Sequence, residues 1–253
     1  MKFGLIGHPI AHSLSPSLFK AGYGGRFPYE LIEGADFEES YRRFIEEYDG
    51  INVTAPFKEP AFAKADILSE ECRRVGAANL LIKTSDGVKA YNSDYLGVRM
   101  WLKEKAADVL SEKTSVLIVG TGGAGKAAGA AAESLGMEVI RMNRTVRDER
   151  TLPLDDFKEC FRDADIIIYN IPTSIPALND LTDKDFNSGK PKFILEANYK
   201  DPSFSPSVIE RMKKANPLAE YTGGRIWLLY QALTGYEIFT GEKPDLNRMS
   251  DVL

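Results

Sequence analysis

The chain has 253 residues, 43% hydrophobic and 27% charged, with a formal net charge of -5 and a pI near 5.3. An acidic chain without a concentrated basic stripe suits neither nucleic acid nor an anionic membrane surface, and no apolar run approaches the length of a membrane span. Cys72 and Cys160 stand far apart and offer no disulfide framework or C-x-x-C motif, and His8 and His12 are too few for a histidine-rich metal site, so no metal is expected. The chain runs from Met1-Lys2-Phe3-Gly4 directly into strand-like sequence, and the expected location is the cytoplasm.

Strand and helix signals alternate from the start, a βαβαβ beginning: Phe3 to Ile6, a helix from Pro16, Tyr29 to Ile32, an amphipathic helix over Phe37 to Tyr48, then Ile51 to Thr54. In His12-Ser13-Leu14-Ser15-Pro16, Ser15 reads as an N-cap and Pro16 as the first helical residue. Two hydroxyls and a helix N-terminus then converge on one spot suited to a carboxylate. In Asn52-Val53-Thr54-Ala55-Pro56-Phe57-Lys58, Pro56 cannot donate to a ladder, so the strand is expected to stop near Ala55 and deliver Lys58 at its C-terminal end. Ligands collect at such ends in open α/β sheets.

Short helical stretches follow over Ala61 to Ala65 and Glu70 to Val75. Strands over Ala78 to Lys83 and Val88 to Tyr91 are joined through the turn Ser85-Asp86-Gly87, which completes a small mixed sheet. A helix over Asp94 to Leu102, capped by Ser93 or Asp94, carries the domain junction. The expected domains are 1–98, joined by helices from 225–253, and 99–224.

Ser115 to Val119 is an apolar strand, followed by a complete G-x-G-x-x-G at Gly120-Thr121-Gly122-Gly123-Ala124-Gly125, an alanine-rich helix to Leu135, the stop Gly136 and a strand over Glu138 to Met142. In this βαβ context Gly120 permits the tight turn, Gly122 lets backbone amides approach a pyrophosphate, and Gly125 allows close packing of the helix. Asn143-Arg144-Thr145 then ends the second strand without a carboxylate, and Arg147 stands close by. An arginine with a hydroxyl donor suits a ribose 2′-phosphate, so NADP is favoured over NAD. Further strands over Ala164 to Tyr169 and Phe193 to Ala197 end in polar residues, and a helix over Arg225 to Phe239 returns toward the first domain.

Together these segments resemble the shikimate dehydrogenase family over nearly the whole chain. His12 to Pro16 matches H-S-x-S-P, and Asn52 to Lys58 matches N-V-T-x-P-F-K. Gly76-Ala77-Ala78-Asn79 resembles G-A-V-N-T, with Leu80 in place of the threonine. Asn92-Ser93-Asp94-Tyr95-Leu96-Gly97 is similar to N-T-D-G-x-G, with Tyr95 in place of a glycine. Gly224, Trp227 and Gln231 keep the spacing of G-x-G-M-L-x-x-Q, with Ile226 and Trp227 in place of the second glycine and the methionine. Asn198-Tyr199-Lys200-Asp201-Pro202 is a loosened D-x-x-Y-x-P.

The resemblance implies an α/β fold in which an N-terminal substrate domain with a mixed sheet and a Rossmann-type, doubly wound NADP-binding domain enclose a cleft. It implies an NADP-dependent dehydrogenase that interconverts shikimate and 3-dehydroshikimate in aromatic amino acid biosynthesis, as a monomer or homodimer. Lys58 and Asp94 become the catalytic acid–base pair. Ser13, Ser15, Thr54, Asn79, Tyr199 and Gln231 become substrate contacts, and Gly120, Gly122, Gly123, Ala124, Gly125, Asn143, Arg144, Thr145 and Gly224 cofactor contacts. A quinate or related cyclitol dehydrogenase is the alternative enzyme, and an NADP-sensing module with a decayed site the alternative without catalysis.

Overall fold

The computed structural model describes residues 1–105, 107, 113–146, 148–186 and 189–253. The chain divides into two compact units, Met1–Gly97 with Leu229–Leu253, and Val98–Leu228. It passes between them within two helices, α5 (Ser93–Lys105) and α10 (Gly224–Thr240). Among the described residues, no helix is long and apolar enough to cross a membrane.

The first unit is built on a six-stranded mixed sheet. Its strands are β1 (Phe3–Gly7), β2 (Tyr29–Glu33), β3 (Gly50–Val53), β4 (Ile67–Leu68), β5 (Leu80–Thr84) and β6 (Gly87–Tyr91). They lie in the order β2-β1-β3-β5-β6-β4. β3 pairs in parallel with β1, Leu5 opposite Asn52, and antiparallel with β5, where Asn52 faces Leu80. The helices are α1 (Ser15–Tyr23), α2 (Phe37–Glu47), α3 (Lys58–Lys64), α4 (Glu70–Val75), the C-terminal part of α10 and α11 (Leu246–Ser250).

β1 and β3 are buried along their whole length because helices cover both faces of the sheet. Alternation sends Ile6, Ile51 and Val53 to one core with Phe44 and Tyr48 of the α2 segment. Phe3 points the other way into an aromatic cluster, 5.4 Å from Phe19 of α1 and 4.9 Å from Phe239 of α10. Phe239 lies so close to β3 that a methyl group added to Gly50 would come within 2.8 Å of its ring. Asn52 breaks the apolar pattern: it is 7% exposed and turned toward the α1 and α10 side.

The second unit holds an all-parallel sheet in the order β12-β11-β10-β7-β8-β9. The strands are β7 (Ser115–Val119), β8 (Glu138–Asn143), β9 (Thr151–Pro153), β10 (Ile166–Tyr169), β11 (Lys192–Glu196) and β12 (Ala219–Thr222). This is the doubly wound order of dinucleotide-binding domains, with its reversal point between β7 and β10. The helices are α6 (Gly123–Glu133), α7 (Phe157–Asp163), α8 (Pro176–Asn179) and α9 (Pro206–Ala215). α6 buries Ala127, Ala128, Ala130, Ala131 and Ala132, small side chains that let it lie close to the sheet.

β4, β9 and β12 are strands that periodicity does not announce, because two to four residues are too few to show a period. The first helix past β3 begins at Lys58, ahead of the expected Ala61, with Pro60 accommodated in its first turn.

Lys192 opens β11 and is 1% exposed. Its ammonium donates to Phe161 O at 2.8 Å, Arg162 O at 3.3 Å and Ala164 O, and so closes the C-terminal end of α7, whose last carbonyls have no helical partner. Burial pushes this lysine down from 10.5 to about 8. Between those values the unfolded chain holds a proton that the folded chain has released, so stability rises with pH across that window. Urea melts at pH 8 and pH 10 should therefore show wild type gaining on Lys192→Met as pH rises. Parallel shifts of the two proteins would contradict this.

Candidate functional site

In the first unit the site begins where β3 ends. The ladder stops at Val53, two residues before Ala55, and a turn closed by Phe57 N–H donating to Thr54 O at 2.9 Å leads into α3. Lys58 is therefore the first residue of a helix rather than the tip of a strand. Its Nζ stands 2.5 Å from Asp94 Oδ2 in the first turn of α5, with side chains 21% and 9% exposed.

The loop before β5 is tied to both partners' elements. Ala78 N–H donates to Lys58 O at 2.9 Å, and Val53 N–H donates to Asn79 O at 2.8 Å. The cap of α5 is Asn92, not Ser93 or Asp94: Asn92 Oδ1 accepts from Tyr95 N–H at 3.0 Å. The two expected caps are thereby released for other bonds. Ser93 N–H donates to Asn79 Oδ1 at 2.6 Å, and the Ser93 hydroxyl stands 3.1 Å from Gln231 Oε1.

α10 can bring Gln231 this close because Gly97 has no side chain: a Cβ there would lie 2.6 Å from Gln231 N. Leu80 is fully buried, and its Cδ1 is 3.1 Å from where a side chain on Gly235 would begin, so this position serves packing.

At the start of α1, Ser15 is the first helical residue and makes no cap through its side chain, and the cap position is Leu14. Ser13 takes the accepting role instead, with Ser15 N–H donating to Ser13 Oγ at 3.3 Å and the two hydroxyls 3.1 Å apart. Pro16 has no N–H, so a cap aimed at the following turn has one donor fewer to satisfy. Thr54 is partly exposed just past β3, and Gly7 makes room for it, since a Cβ on Gly7 would meet Thr54 Cγ2 at 2.4 Å. Lys58, Asp94, Ser13, Ser15, Thr54, Asn79 and Gln231 all belong to the first unit.

The second unit carries a cavity of about 950 Å³ at the reversal point of its sheet, lined by Gly120, Gly122, Asn143, Arg144, Asn170 and Ile171 among others. Gly120 adopts φ +93°, which a side chain would strain. A Cβ on Gly125 would fall 1.8 Å from Gly120 O, so the loop and the helix start require that glycine. Gly122 caps α6 with nothing within 4 Å of where its Cβ would be, which leaves backbone amides open to an anion.

Gly123, Ala124 and Gly125 form the first turn of α6. Thr145 lies outside the cavity wall, Asn143 Nδ2 donating to its carbonyl at 3.3 Å, and Arg147 lies outside the described residues. Asp148 turns away to accept from Thr151 Oγ1 at 2.9 Å, so no carboxylate takes the strand-end position of an acidic ribose ligand. Thr121, Asp155, Lys158, Thr173, Ser174 and Asp180 complete the polar lining. Open amides, an arginine at the strand end and a wide pocket fit a phosphorylated dinucleotide.

Tyr199 also belongs to the second unit, on the loop after β11. That loop is shaped by Asn198, whose Nδ2 donates to Pro172 O at 3.0 Å, and by the start of α10. Gly224 is required there because a Cβ would sit 2.5 Å from the Asn198 backbone; its role is packing on this loop, and it does not line the cavity.

Glu196, hidden in the sequence as the end of an apolar strand, anchors the same loop. Fully buried, it accepts from Ser203 N–H at 2.5 Å and from the Tyr221 hydroxyl at 2.6 Å. Burial, reinforced by this carboxylate, pushes the Tyr221 phenol far up, so it remains the donor. A carboxylate ending the apolar run Phe193 to Leu195 was the available signal. Glu196→Leu should cost about 2–4 kcal/mol in a urea melt by leaving buried donors unpaired, and Glu196→Gln about half of that.

Residues 5–81 match the family model of the shikimate dehydrogenase substrate binding domain, and residues 78–195 that of the NAD binding domain of D-isomer specific 2-hydroxyacid dehydrogenases. The shikimate dehydrogenase (NADP(+)) of Carboxydothermus hydrogenoformans is 26% identical over 99% of this chain and 95% of its own length. That of Thermotoga maritima is 36% identical over 61% of this chain and 59% of its own. The crystal structure of shikimate 5-dehydrogenase from Thermus thermophilus in complex with NADP(H) and shikimate has a TM-score of 0.81 and 26% identity, over 100% of this chain and 98% of that one. Quinate dehydrogenase from Corynebacterium glutamicum in complex with NAD has a TM-score of 0.79 at 20% identity, over 100% of this chain and 98% of that one, a likeness of fold. With the lysine–aspartate pair, the serine turn and the glycine loop in one chain, these likenesses run over the full length of the protein to shikimate dehydrogenases, whose substrate binding domain its N-terminal part matches.

Proposed function

We propose that this protein is an NADP-dependent shikimate dehydrogenase, reversibly reducing 3-dehydroshikimate to shikimate in the cytoplasm. The observation that carries the reading is the Lys58–Asp94 pair, 2.5 Å apart and largely withdrawn from water in the unit that matches the substrate domain. Oxidising a secondary alcohol requires loss of its hydroxyl proton as hydride leaves carbon. Lys58 is the group we assign to take that proton, and Asp94 holds the ammonium that results, so the pair passes a proton without stranding an isolated buried charge. In reduction the same proton returns to the developing alkoxide.

The remaining first-unit residues divide the substrate between them. Ser13 and Ser15 receive the carboxylate beside the α1 terminus, and Thr54, Asn79 and Gln231 receive ring hydroxyls. Tyr199 is assigned as a further substrate contact. NADP, when bound, supplies the hydride acceptor or donor. The amides at Gly122 and Gly123 would hold its pyrophosphate, and Asn143 and Arg144 its adenosine end. We place the division of labour at the unit boundaries, with substrate on Met1–Gly97 and Leu229–Leu253 and cofactor on Val98–Leu228.

One observation favours keeping a cyclitol such as quinate as a second substrate. Leu80 sits where the family pattern has a threonine, so no hydroxyl at that position is available to select among ring hydroxyls. An NADP sensor has no need of the paired lysine and aspartate. NADPH formation by purified protein with shikimate, quinate and related diols separates the readings, and gel filtration tests the monomer or homodimer.

Lys58→Ala should lower kcat by about 10²- to 10⁴-fold while a titration of NADP binding stays unchanged. Asp94→Asn should behave likewise, and the double variant should lose no more than the larger single loss, because the two act as a unit. Shikimate oxidation at wild-type kcat by folded Lys58→Ala would end this mechanism. Arg144→Ala should weaken NADP by about 10- to 100-fold and leave NAD nearly untouched, the scale of a charge-assisted contact to phosphate. Equal affinity of the wild type for both dinucleotides, measured by competition, would show that Arg144 does not read the 2′-phosphate.

A further inference from the structure

Past the ends of β8 and β9, the cavity of the second unit carries a carboxylate that none of the proposed cofactor contacts uses. The two strands pair in parallel with Asn143 opposite Pro153. The residues that follow, Arg144 on one side and Leu154 and Asp155 on the other, therefore leave the sheet at the same edge, from strands about 4.8 Å apart. All three line the cavity.

Arg144 and Asp155 do not neutralise each other. Among the described residues, neither makes an ion pair or a side-chain hydrogen bond. Asp155 does not cap a helix either, since the cap positions of the two helical turns after β9 are Pro153 and Asp156. The nearby ammonium is engaged elsewhere: Lys158 Nζ donates to Asp180 O at 2.7 Å and stands 3.8 Å from Asp185 Oδ2.

The neighbouring residues narrow what this carboxylate can do. It cannot serve a 2′-phosphate, because two anions repel. Leu154 from the β9 end and Ile171 and Ile175 from the β10 end are partly buried on the core of the unit and line the same cavity. They offer apolar surface to the faces of a planar base, which is then identified by polar groups at its edge. The 6-amino group of adenine presents N–H donors, and an ionised carboxylate only accepts. The phosphate on the ribose and the amino group on the base would thus meet a cation and an anion from adjacent strand ends.

We infer that Asp155 is a specificity-determining residue of the cofactor site, accepting a hydrogen bond from the 6-amino group of the adenine while Arg144 meets the 2′-phosphate. The inference rests on the reading of this cavity as the NADP site, and it adds a residue that distinguishes adenine from other bases.

The test compares NADPH with its hypoxanthine analogue, in which a carbonyl oxygen replaces the 6-amino group, by fluorescence titration of the purified protein. The wild type should bind NADPH about 10- to 50-fold more tightly, because the analogue turns an acceptor toward the carboxylate. Asp155→Ala should weaken NADPH by about 5- to 20-fold and bind the analogue at least as well as wild type does, bringing the two within about threefold. Asp155→Asn, whose amide can donate, should bind the analogue more tightly than wild type does. NADH carries the same base without the phosphate, so Asp155→Ala should weaken it by a factor similar to that for NADPH, whereas Arg144→Ala leaves it nearly untouched.

Equal binding of NADPH and the analogue by the wild type would overturn the inference. So would an Asp155→Ala protein that binds NADPH more tightly, the result if the carboxylate only repels the 2′-phosphate. The same holds if that variant loses affinity for NADPH and the analogue by one common factor, the mark of a structural role. Each of these outcomes leaves the NADP reading standing. A wild type that binds neither NADPH nor the analogue would overturn that reading, and the inference with it.

Discussion

Everything in the first unit's site depends on holding an ammonium and a carboxylate 2.5 Å apart with little water around either. Such a pair has a desolvation cost comparable to its attraction, and it persists only where backbone and neighbouring side chains leave the two groups no better place to go. Here the constraint comes from the polypeptide itself. Lys58 O accepts from Ala78 N–H, Asn79 O accepts from Val53 N–H, and Asn79's side chain accepts from Ser93 N–H, so the ends of β3, β5 and α5 are bound around one asparagine. The ion pair is the outcome of that closure, which explains how a charge pair can sit beside an apolar strand such as Leu80 to Ile82.

The same closure explains the placing of small residues. Gly97 and Gly235 lie on α5 and α10 where side chains would collide with Gln231 and with Leu80 and Ser93. The Gln231 amide reaches Ser93 from a helix far along the chain, and only close approach of the two helices delivers it. Apolar Leu80 is compatible with this arrangement because it fills space under α10.

In the second unit the governing constraint is the all-parallel sheet. Every strand delivers its C-terminal end to one edge, and at the reversal point between β7 and β10 two such ends diverge and leave room. Gly120 abuts Ile171 across that gap, its would-be Cβ 3.0 Å from Ile171 Cγ1, so the loop after β7 and the loop after β10 together form the cavity wall. Buried charges hold the scaffold behind it. Lys192 seals α7 and Glu196 pins the loop that carries Tyr199, each satisfied mainly by backbone groups, which are fixed and cannot relax away.

Local chemistry was legible from the residues alone. A glycine loop between an apolar strand and an alanine-rich helix, an arginine at the following strand end, and a proline turn delivering Lys58 are features of backbone stereochemistry within a dozen residues, and no distant partner is needed to recognise them. Cap assignments failed for a related reason: Ser93, Asp94 and Ser15 are all competent caps by type, and competition from partners elsewhere decided that Asn92 and Ser13 take the accepting roles. Tertiary structure alone decided that Lys58 meets Asp94 across 36 residues and that Ser93 meets Gln231 across 138. It alone decided that Tyr29 turns its proton to Asn52, and that the lysine and the glutamate at the two ends of β11 are structural anchors. Such contacts depend on which strands lie side by side and which helix crosses them, and those choices are set by burying both faces of two sheets at once, which no local stretch of sequence encodes.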